Sequence, residues 1–198
     1  MKALKIIGIG LLALIGLGLL LGLLAPKDYH VERQMTMTAS KATIFPYLAD
    51  LKKHESWEPW QDLDPDMEQR YEGTAGQVGQ SVSWKSENKQ VGEGRQEITS
   101  ITPNERVEVD VFFLPYEHPN PVAFAMAEKD GQTEVSWGMQ MHFPFPFNAM
   151  MVFMSLEKNI GADFDKGLTK LKGIVEAEEA STSKSGFDMN VQVIDYPA

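Results

Sequence analysis

The sequence predicts an α+β fold in which a curved antiparallel sheet is covered by a long C-terminal helix, with one transmembrane helix in front. Three observations predict it. Residues 6–25 carry no charge, residues 67–142 alternate between apolar and polar side chains, and apolar residues recur at spacings of three and four after Met150. These patterns are typical of a membrane span, of strands and of an amphipathic helix, respectively. An amphipathic helix needs an apolar surface to cover, and the sheet provides it.

The apolar segment Ile6–Ala25 is long enough to cross a bilayer. Thirteen of its twenty residues are Leu or Ile, and at about 1.5 Å per residue a helix of this length spans roughly 30 Å. A cleaved signal peptide is the alternative, but such a peptide ends in an A-x-A-like site, whereas this segment ends in Leu-Leu-Ala-Pro. We therefore expect residues 1–26 to form a retained transmembrane anchor.

The charges beside the anchor predict its orientation. Lys2 and Lys5 precede the apolar segment, and Lys27 follows it. Because basic residues stay on the cytoplasmic side, we expect a single-pass protein of the cell membrane with a cytoplasmic N-terminus and an extracytoplasmic domain. The Gly18-x-x-x-Gly22 spacing favours a weak homodimer through the anchor.

The composition excludes several classes of function. The chain has 18 basic and 28 acidic residues, a net charge of −10, whereas nucleic-acid binding needs Lys and Arg to neutralise phosphates. The absence of Cys excludes disulfides, thiolate metal sites and cysteine nucleophiles. The four histidines are scattered along the sequence, so we expect no zinc site. The sequence has no Gly-rich phosphate loop, and we expect no cofactor.

After the anchor, the sequence predicts a strand followed by a short helix. Apolar and polar side chains alternate from Val31 to Met37, which is typical of a strand. Ser40 is a suitable helix N-cap, and an apolar face follows it as far as Lys53. Pro46 lies inside this pattern and predicts a first-turn position or a kink.

A run of six further strands separated by turn residues is predicted next. The Asp130-Gly131 pair between two of them is typical of a two-residue hairpin turn. Charged residues alternate with apolar ones on the central strands, so we expect those charges on the solvated convex side of the sheet. The predicted strands cover residues 67–72, 80–85, 92–101, 106–114, 122–128 and 133–142.

The sequence then predicts a helix of about 27 residues that begins near Met150. Apolar residues recur on one face of this helix, and charged residues occupy the opposite face. A curved sheet closed by such a helix encloses a space, which indicates a binding function. The polar composition after residue 178 predicts a flexible linker and an isolated strand over residues 179–198. The ligand-binding domain is therefore expected over residues 27–178.

Several short motifs resemble one protein family. They are the helix entry Ala39-Ser40, the segment from Asp50 to Trp60, the strand Gly92–Ile98 and the turn Pro103–Arg106. Together they resemble the START-related, polyketide cyclase-like SRPBCC proteins, including members with one N-terminal membrane anchor. The resemblance implies the helix-grip fold. It implies no single activity, because the family includes lipid carriers, ring cyclases and hydroxylase ligand-binding domains.

Aromatic rings, thioethers and one arginine are the candidates for ligand contacts. Flat rings and flexible thioethers suit an apolar ligand, although core packing is the alternative for each of them. Arg33 shares its strand face with apolar residues and would bind a ligand carboxylate there, or lie in water at the rim. The candidate ligand-binding residues are Arg33, Trp57, Trp60, Tyr71, Trp84, Trp137, Met139, Met141, Phe153, Met154, Ile160 and Phe164.

The sequence therefore predicts a membrane-tethered domain that binds a small hydrophobic or amphipathic, lipid-like ligand without transforming it. The absence of a recognisable catalytic motif favours binding over catalysis. Two alternatives stay open. One is a cyclase or dehydratase acting on an apolar substrate, which needs a buried acid or base, and the other is a protein-interaction or chaperone module. The expected partners are the membrane and a small apolar ligand, with no nucleic acid and no metal ion.

Overall fold

A computed structural model describes residues 2–116 and 118–187 of the chain. The helices are α1 (Lys2–Leu24), α2 (Lys41–Ala49), α3 (Leu51–His54), α4 (Trp60–Leu63), α5 (Asn148–Met151) and α6 (Leu156–Phe187). The strands are β1 (Asp28–Met37), β2 (Glu68–Glu72), β3 (Ser81–Lys85), β4 (Glu93–Thr102), β5 (Arg106–Phe113), β6 (Asn120–Lys129) and β7 (Gln132–His142). They form one curved antiparallel sheet in the order β1-β7-β6-β5-β4-β3-β2. This confirms the predicted helix-grip architecture.

Alternation between two faces fixes each strand in the sheet. In β5, Val107 and Val109 are buried, whereas the side chains of Arg106 and Glu108 are roughly half exposed and form an ion pair with an N–O distance of 2.8 Å. The predicted placement of charged side chains on the convex face is therefore confirmed. All six predicted strands of the meander are present, with bounds shifted by no more than two residues.

The hairpin between β6 and β7 turns at the Asp130-Gly131 pair, as predicted. Both residues have positive φ angles, 52° for Asp130 and 76° for Gly131. A two-residue turn of this kind matches the right-handed twist of the flanking strands. The turn sets the register of β6 on β7, which places Phe124 opposite Trp137.

The short helix predicted after β1 is broken into α2 and α3. Ser40 caps α2 by accepting a hydrogen bond from the Thr43 N–H at 3.3 Å. Asp50 has an extended backbone with φ −110°, and its carboxylate accepts a bond from the Lys52 N–H at 3.0 Å. A second N-cap thus interrupts the helix and starts α3.

Helix α6 covers a filled half and a hollow half of the sheet. Towards its C-terminal end, Leu168, Leu171 and Val175 are completely buried in the main apolar core. Towards its N-terminal end, Ile160 and Phe164 border an open space instead. The helix therefore contributes to stability mainly through its later turns.

Carboxylates at the C-terminal part of α6 tie the helix to the start of α2. Glu176 accepts a hydrogen bond from the Thr38 N–H at 2.7 Å, and Glu179 accepts one from the Ser40 N–H at 3.2 Å. The Thr43 hydroxyl also donates to Glu179, and these bonds hold the pKa of the Glu179 carboxyl below its ordinary value. The carboxylates have partners only while this part of the chain is helical.

Two predictions about the C-terminal region need correction. The segment predicted as a flexible linker from residue 179 is helical as far as Phe187, because Glu178 and Glu179 are bonded to the domain. The predicted isolated strand near residues 189–193 lies outside the described residues. The long helix also begins later than predicted, at Leu156 instead of near Met150. The reason is Ser155, a residue favoured at N-caps, whose carbonyl accepts the first helical bond from the Asn159 N–H at 2.9 Å.

Helix α1 stands apart from the core of the domain. From Lys5 onward its side chains are mostly exposed, and residues Lys5–Leu24 are long and apolar enough to cross a membrane. The exception is Gly22 in its C-terminal turn, which is buried against Phe145 and Asn148.

Two glycines of α6 provide a test of how the helix seats on the sheet. A Cβ at Gly167 would lie 2.7 Å from Cζ3 of Trp137, whereas one at Gly173 would meet nothing within 4 Å. We expect Gly167→Ala to lower the free energy of unfolding by about 1–3 kcal/mol through overpacking. We expect Gly173→Ala to raise it by about 0.5–1 kcal/mol through helix propensity and chain entropy.

Urea unfolding of the full chain in a mild non-ionic detergent measures both effects. Tryptophan fluorescence reports on the domain alone, because all four tryptophans lie outside α1. If both substitutions stabilise the chain, the close approach of α6 to Trp137 is wrong.

Candidate functional site

A cavity of about 320 Å³ lies between the concave face of the sheet and the N-terminal half of α6. Ligand sites commonly have volumes of about 300–1,000 Å³. Its apolar and aromatic lining consists of Leu51, Trp60, Met67, Tyr71, Val82, Trp84, Val91, Val111, Phe113, Val122, Phe124, Trp137, Met139, Met141, Ile160 and Phe164. Its polar lining consists of His54, Glu55, Glu58, Gln61, Gln69, Gln90, Gln96 and Asp163.

An aromatic cluster forms the inner wall of the cavity. Phe164 of α6 stacks on Trp137 of β7 with ring centroids 4.1 Å apart and an interplanar angle of 13°. Trp60 meets Trp137 edge-on at 5.8 Å, and Phe124 lies 5.5 Å from it. Rigid rings of this kind offer an apolar ligand a large contact area at little cost in side-chain entropy.

A buried histidine and a glutamate share one part of the cavity wall. His54 is 2% exposed, and its Nε2 lies 3.1 Å from the Leu48 carbonyl oxygen. Its Nδ1 lies 2.9 Å from Oε1 of Glu58. A carbonyl oxygen only accepts, so Nε2 donates to it, and Nδ1 and the Glu58 carboxyl group are hydrogen-bond partners. The wall therefore contains a buried imidazole and a carboxyl group in hydrogen-bond contact.

Tyr71 and Glu55 form a second polar contact in the wall. The Tyr71 hydroxyl donates to Oε1 of Glu55 at 2.6 Å, and the Lys52 ammonium contacts the same oxygen at 2.6 Å. Burial, followed by the bond to the Glu55 carboxylate, raises the pKa of the Tyr71 phenol far above its ordinary value. The phenol is therefore a fixed donor to Glu55, which leaves its ring to face the cavity.

The charged residues among the described lining residues are all acidic. Glu55, Glu58 and Asp163 contribute carboxylates, and no lysine or arginine is among the lining residues in the described part of the chain. Counter-charges approach from outside the lining, since Lys52 contacts Glu55 and Lys166 contacts Asp163. A negatively charged ligand group would therefore meet carboxylates in the described lining, while the lysines that pair with two of them lie outside it.

Eight of the twelve candidate residues line the cavity, and four do not. Those in the lining are Trp60, Tyr71, Trp84, Trp137, Met139, Met141, Ile160 and Phe164. Phe153 and Met154 are 79% and 48% exposed between α5 and α6, because the chain leaves β7 through α5 before α6 begins. They lie away from the cavity, so their predicted position opposite the sheet is wrong.

Arg33 also lies outside the cavity lining. Its side chain shares the inner face of β1, as predicted, but lies against α6, where Nη2 is 2.7 Å from Oε1 of Glu157 and Nε is 3.2 Å from Oδ2 of Asp165. The absence of a side chain at Gly161 leaves room for the guanidinium group. Hydrogen bonding to Glu157 raises the Arg33 pKa. The arginine thus holds α6 on the sheet instead of facing a ligand carboxylate.

Trp57 is a core residue, not a lining residue. It is completely buried, and its Nε1 donates to the Tyr47 carbonyl oxygen at 3.1 Å. Its ring lies edge-on to Trp137 with centroids 5.2 Å apart. The loop position that suggested a cavity mouth instead brings this ring beneath the wall, where it supports Trp137.

The polar part of the site is missing from the candidate set. His54 and Glu58 fall in a segment that the sequence predicts as a polar loop, although their spacing of four residues is a signal for contact on one helical turn. Gln69 and Gln96 face inward from β2 and β4. No sequence pattern distinguishes these glutamines from solvated strand residues.

Comparison with known proteins places this cavity in a family context. The sequence matches the family described as polyketide cyclase / dehydrase and lipid transport over residues 28–176. The chain belongs to this family. No curated protein matches the chain by sequence. The domain is therefore a ligand-binding domain of the SRPBCC type.

Solved structures share the fold of this family member at low sequence identity. The Aha1 dimer from Colwellia psychrerythraea is 16% identical with a TM-score of 0.54, and the match covers 75% of this chain and 96% of that chain. The di-domain ARO/CYC protein StfQ from the steffimycin biosynthetic pathway is 10% identical with a TM-score of 0.58, over 78% of this chain and 53% of that chain. Ara h 8.0201 is 12% identical with a TM-score of 0.50, over 76% and 99%. These likenesses show the fold alone.

The hydrogen-bond contact between His54 and Glu58 has a measurable effect on stability. We expect His54→Leu to lower the free energy of unfolding by about 1–3 kcal/mol, because the Leu48 carbonyl and Glu58 lose their partner. His30→Leu is the matched control, since the His30 side chain is 54% exposed on the convex face and its Nε2 lies 3.1 Å from Glu32. We expect that change to stay within about 0.5 kcal/mol.

Urea unfolding of both variants in detergent, with tryptophan fluorescence as the readout, separates the two effects. Equal losses of stability in the two variants would contradict the buried hydrogen-bonded pair.

Proposed function

We propose that this chain is a membrane-tethered binding domain that holds one small uncharged apolar or amphipathic molecule without transforming it. The observation that carries the proposal is the aromatic cavity of about 320 Å³. Its lining combines continuous apolar surface with a few polar groups, which is the usual composition of a small-molecule site. The family description includes lipid transport, in agreement with a ligand of this class.

The polar groups of the lining restrict the chemical class of the ligand. Glu55, Glu58 and Asp163 disfavour a carboxylate, sulfonate or phosphate inside the cavity, because each would be desolvated beside like charges. The indole Nε1 of Trp137 is buried and has no hydrogen-bond partner among the described residues. A buried donor usually has an acceptor, so an uncharged oxygen on the ligand would satisfy it.

The membrane tether is the second part of the proposal. The apolar helix α1 contributes the span, and the domain of residues 27–178 follows it directly. We propose the predicted orientation, with a cytoplasmic N-terminus and an extracytoplasmic domain, from the lysines that precede the span. The homodimer expected from the Gly18 and Gly22 pair is not part of this proposal, because Phe145 and Asn148 lie against Gly22.

An enzyme of the cyclase or dehydratase kind is the second candidate. The observation in its favour is the contact between His54 and Glu58 in the cavity wall, with 2.9 Å between Nδ1 and Oε1, because such reactions need a buried acid or base. The family description and the ARO/CYC relative agree with this chemistry. The two candidate functions differ in what happens to the bound molecule. A carrier releases the molecule unchanged, whereas a dehydratase removes water from it.

Two dyes that differ by one sulfonate group test the charge preference of the cavity. We expect the uncharged dye N-phenylnaphthylamine to bind the full chain in lipid nanodiscs at least about tenfold more tightly than anilinonaphthalenesulfonate, a difference of about 1.4 kcal/mol. Energy transfer from tryptophan to the dye reports binding in the cavity, because Trp60, Trp84 and Trp137 lie in its wall. Equal affinities would contradict the proposed ligand class.

A cavity-filling substitution tests where the dye binds. We expect Val122→Phe to abolish energy transfer to N-phenylnaphthylamine, because the added ring occupies the cavity that Val122 lines. The matched control is Val78→Phe, at a position that is 59% exposed and outside the lining. Unchanged transfer in the Val122 variant would place the dye elsewhere and overturn the binding site.

Mass spectrometry separates the carrier from the enzyme. We expect any molecule extracted from the purified full chain to keep its mass after prolonged incubation with fresh protein. A loss of water that depends on Glu58, absent in the Glu58→Gln variant, would favour the dehydratase instead.

A further inference from the structure

The connection between α1 and the sheet is too short to hold the domain away from a membrane. Helix α1 ends at Leu24 and β1 begins at Asp28, so three residues join them. Three residues span at most about 10 Å even when fully extended. If α1 crosses a bilayer, the end of the sheet where β1 begins lies at the bilayer surface.

Side-chain contacts further restrict this joint. The Asn148 amide of α5 is completely buried and donates to the carbonyl oxygens of Gly22 at 2.8 Å and Ala25 at 3.0 Å. These carbonyls lie in the last turn of α1 and directly after it, where helical partners run out. The Phe145 ring lies against Gly22, where an added Cβ would approach it to 3.0 Å. The anchor therefore meets the domain through a specific contact, not a loose tether.

An exposed apolar surface surrounds this joint. Residues 143–154 contain no charged residue, although the chain as a whole carries 46 charged side chains of Asp, Glu, Lys and Arg, 28 acidic and 18 basic. Within the segment, Phe147 and Met150 are each 60% exposed and Phe153 is 79% exposed. Soluble surfaces rarely leave several large apolar side chains together in water. We therefore expect residues 143–154 to be covered by another apolar surface that shields them from water.

A second exposed apolar segment lies at the same end of the sheet. Strand pairing puts the start of β1 beside the end of β7, the end of β7 beside the start of β6, and the start of β6 beside the end of β5. Directly after β5, Leu114 and Tyr116 are 46% and 69% exposed. We call residues 143–154 together with Leu114 and Tyr116 the apolar rim.

The cavity opens at this end as well. Of its lining residues that the structure describes, Gln90 and Phe113 are the exposed ones. Phe113 is the last residue of β5. Gln90 lies in the loop from β3 to β4, and the pairing of Lys85 with Glu93 puts this loop at the same end of the sheet. The opposite end is closed by the filled core around Leu168 and Leu171.

We propose that the apolar rim lies in the interface of a lipid bilayer, so that the mouth of the cavity faces the membrane into which α1 inserts. The proposal rests on the membrane tether proposed above. The occupant is lipid and not a second protein because the rim continues directly from the apolar surface of α1 and is held against it by Asn148. A ligand of the proposed class would then enter and leave the cavity without crossing water.

Fluorescent labels on single cysteines test the position of the rim. The chain has no cysteine of its own, so Phe153→Cys and Tyr116→Cys can each carry an environment-sensitive label specifically. Glu128→Cys is the control, because Glu128 is exposed at the opposite end of β6. Leu14→Cys, in the middle of α1, reports separately on the anchor. Each full-length variant is reconstituted as one copy per phosphatidylcholine nanodisc, with and without lipids that carry a quencher near the headgroup.

We expect the labels at positions 153 and 116 to lose about half or more of their emission to the quencher lipid, because interfacial apolar residues enter about 5–10 Å into the headgroup boundary. The label at position 128 should be unaffected. Position 14 is measured with lipids that carry the quencher deep in the acyl chain. If the label at position 14 is quenched and the labels at positions 153 and 116 are not, the inference is wrong and the membrane tether stands.

Three other results would also overturn the inference. Absence of quenching at all positions would remove the membrane tether together with the rim contact. A blue-shifted emission at the rim that lipid quenchers do not reduce would show that protein covers it. Quenching at position 153 but not at position 116 would show that one edge touches the membrane while the mouth points away.

Discussion

The stack of Phe164 on Trp137 is the contact on which the two halves of the domain depend. Towards the C-terminal end of α6, the helix packs closely on the sheet, because Gly167 leaves room for the indole ring of Trp137. Towards the N-terminal end of α6, the rings of Phe164 and Trp137 form the inner limit of the cavity. Trp57 supports the stack from beneath, since its buried ring is edge-on to Trp137 and its indole nitrogen is bonded to the Tyr47 carbonyl oxygen. A single aromatic cluster therefore completes the core and also shapes the binding site.

Periodicity in the sequence predicts the elements well, because each pattern reflects burial of one face. It predicts contacts between distant segments poorly. The alternation of β1 correctly turns Arg33 inward, but only the folded chain brings Glu157 and Asp165 against it. Phe153 continues the helical spacing of α6, yet Ser155 starts the helix after it. The buried pair of His54 and Glu58 was unpredicted, because polar residues in a loop give no sign of burial.

The aromatic rings of the cavity are covered by the protein, whereas those of the apolar rim are exposed. Rings that face inward, such as Trp84 and Trp137, are brought together under α6 and leave a space between them. Rings that face outward, such as Phe147 and Phe153, have no protein surface to cover them in the part of the chain that the structure describes. A carrier that exchanges an apolar ligand with lipid needs both kinds of surface at one end, and the short link to α1 puts that end at the membrane.

The hollow half of the domain also has a mechanical consequence. Unfolding eliminates internal voids, so a protein with an unfilled cavity loses volume when it unfolds, typically about 20–100 mL/mol. Hydrostatic pressure therefore acts selectively on the half of α6 above the cavity, while the packed turns at Leu168 and Leu171 resist compression. A bound molecule that fills the void reduces this volume change. Compressibility thus reports on occupancy of the cavity even when the chemical identity of the occupant is unknown.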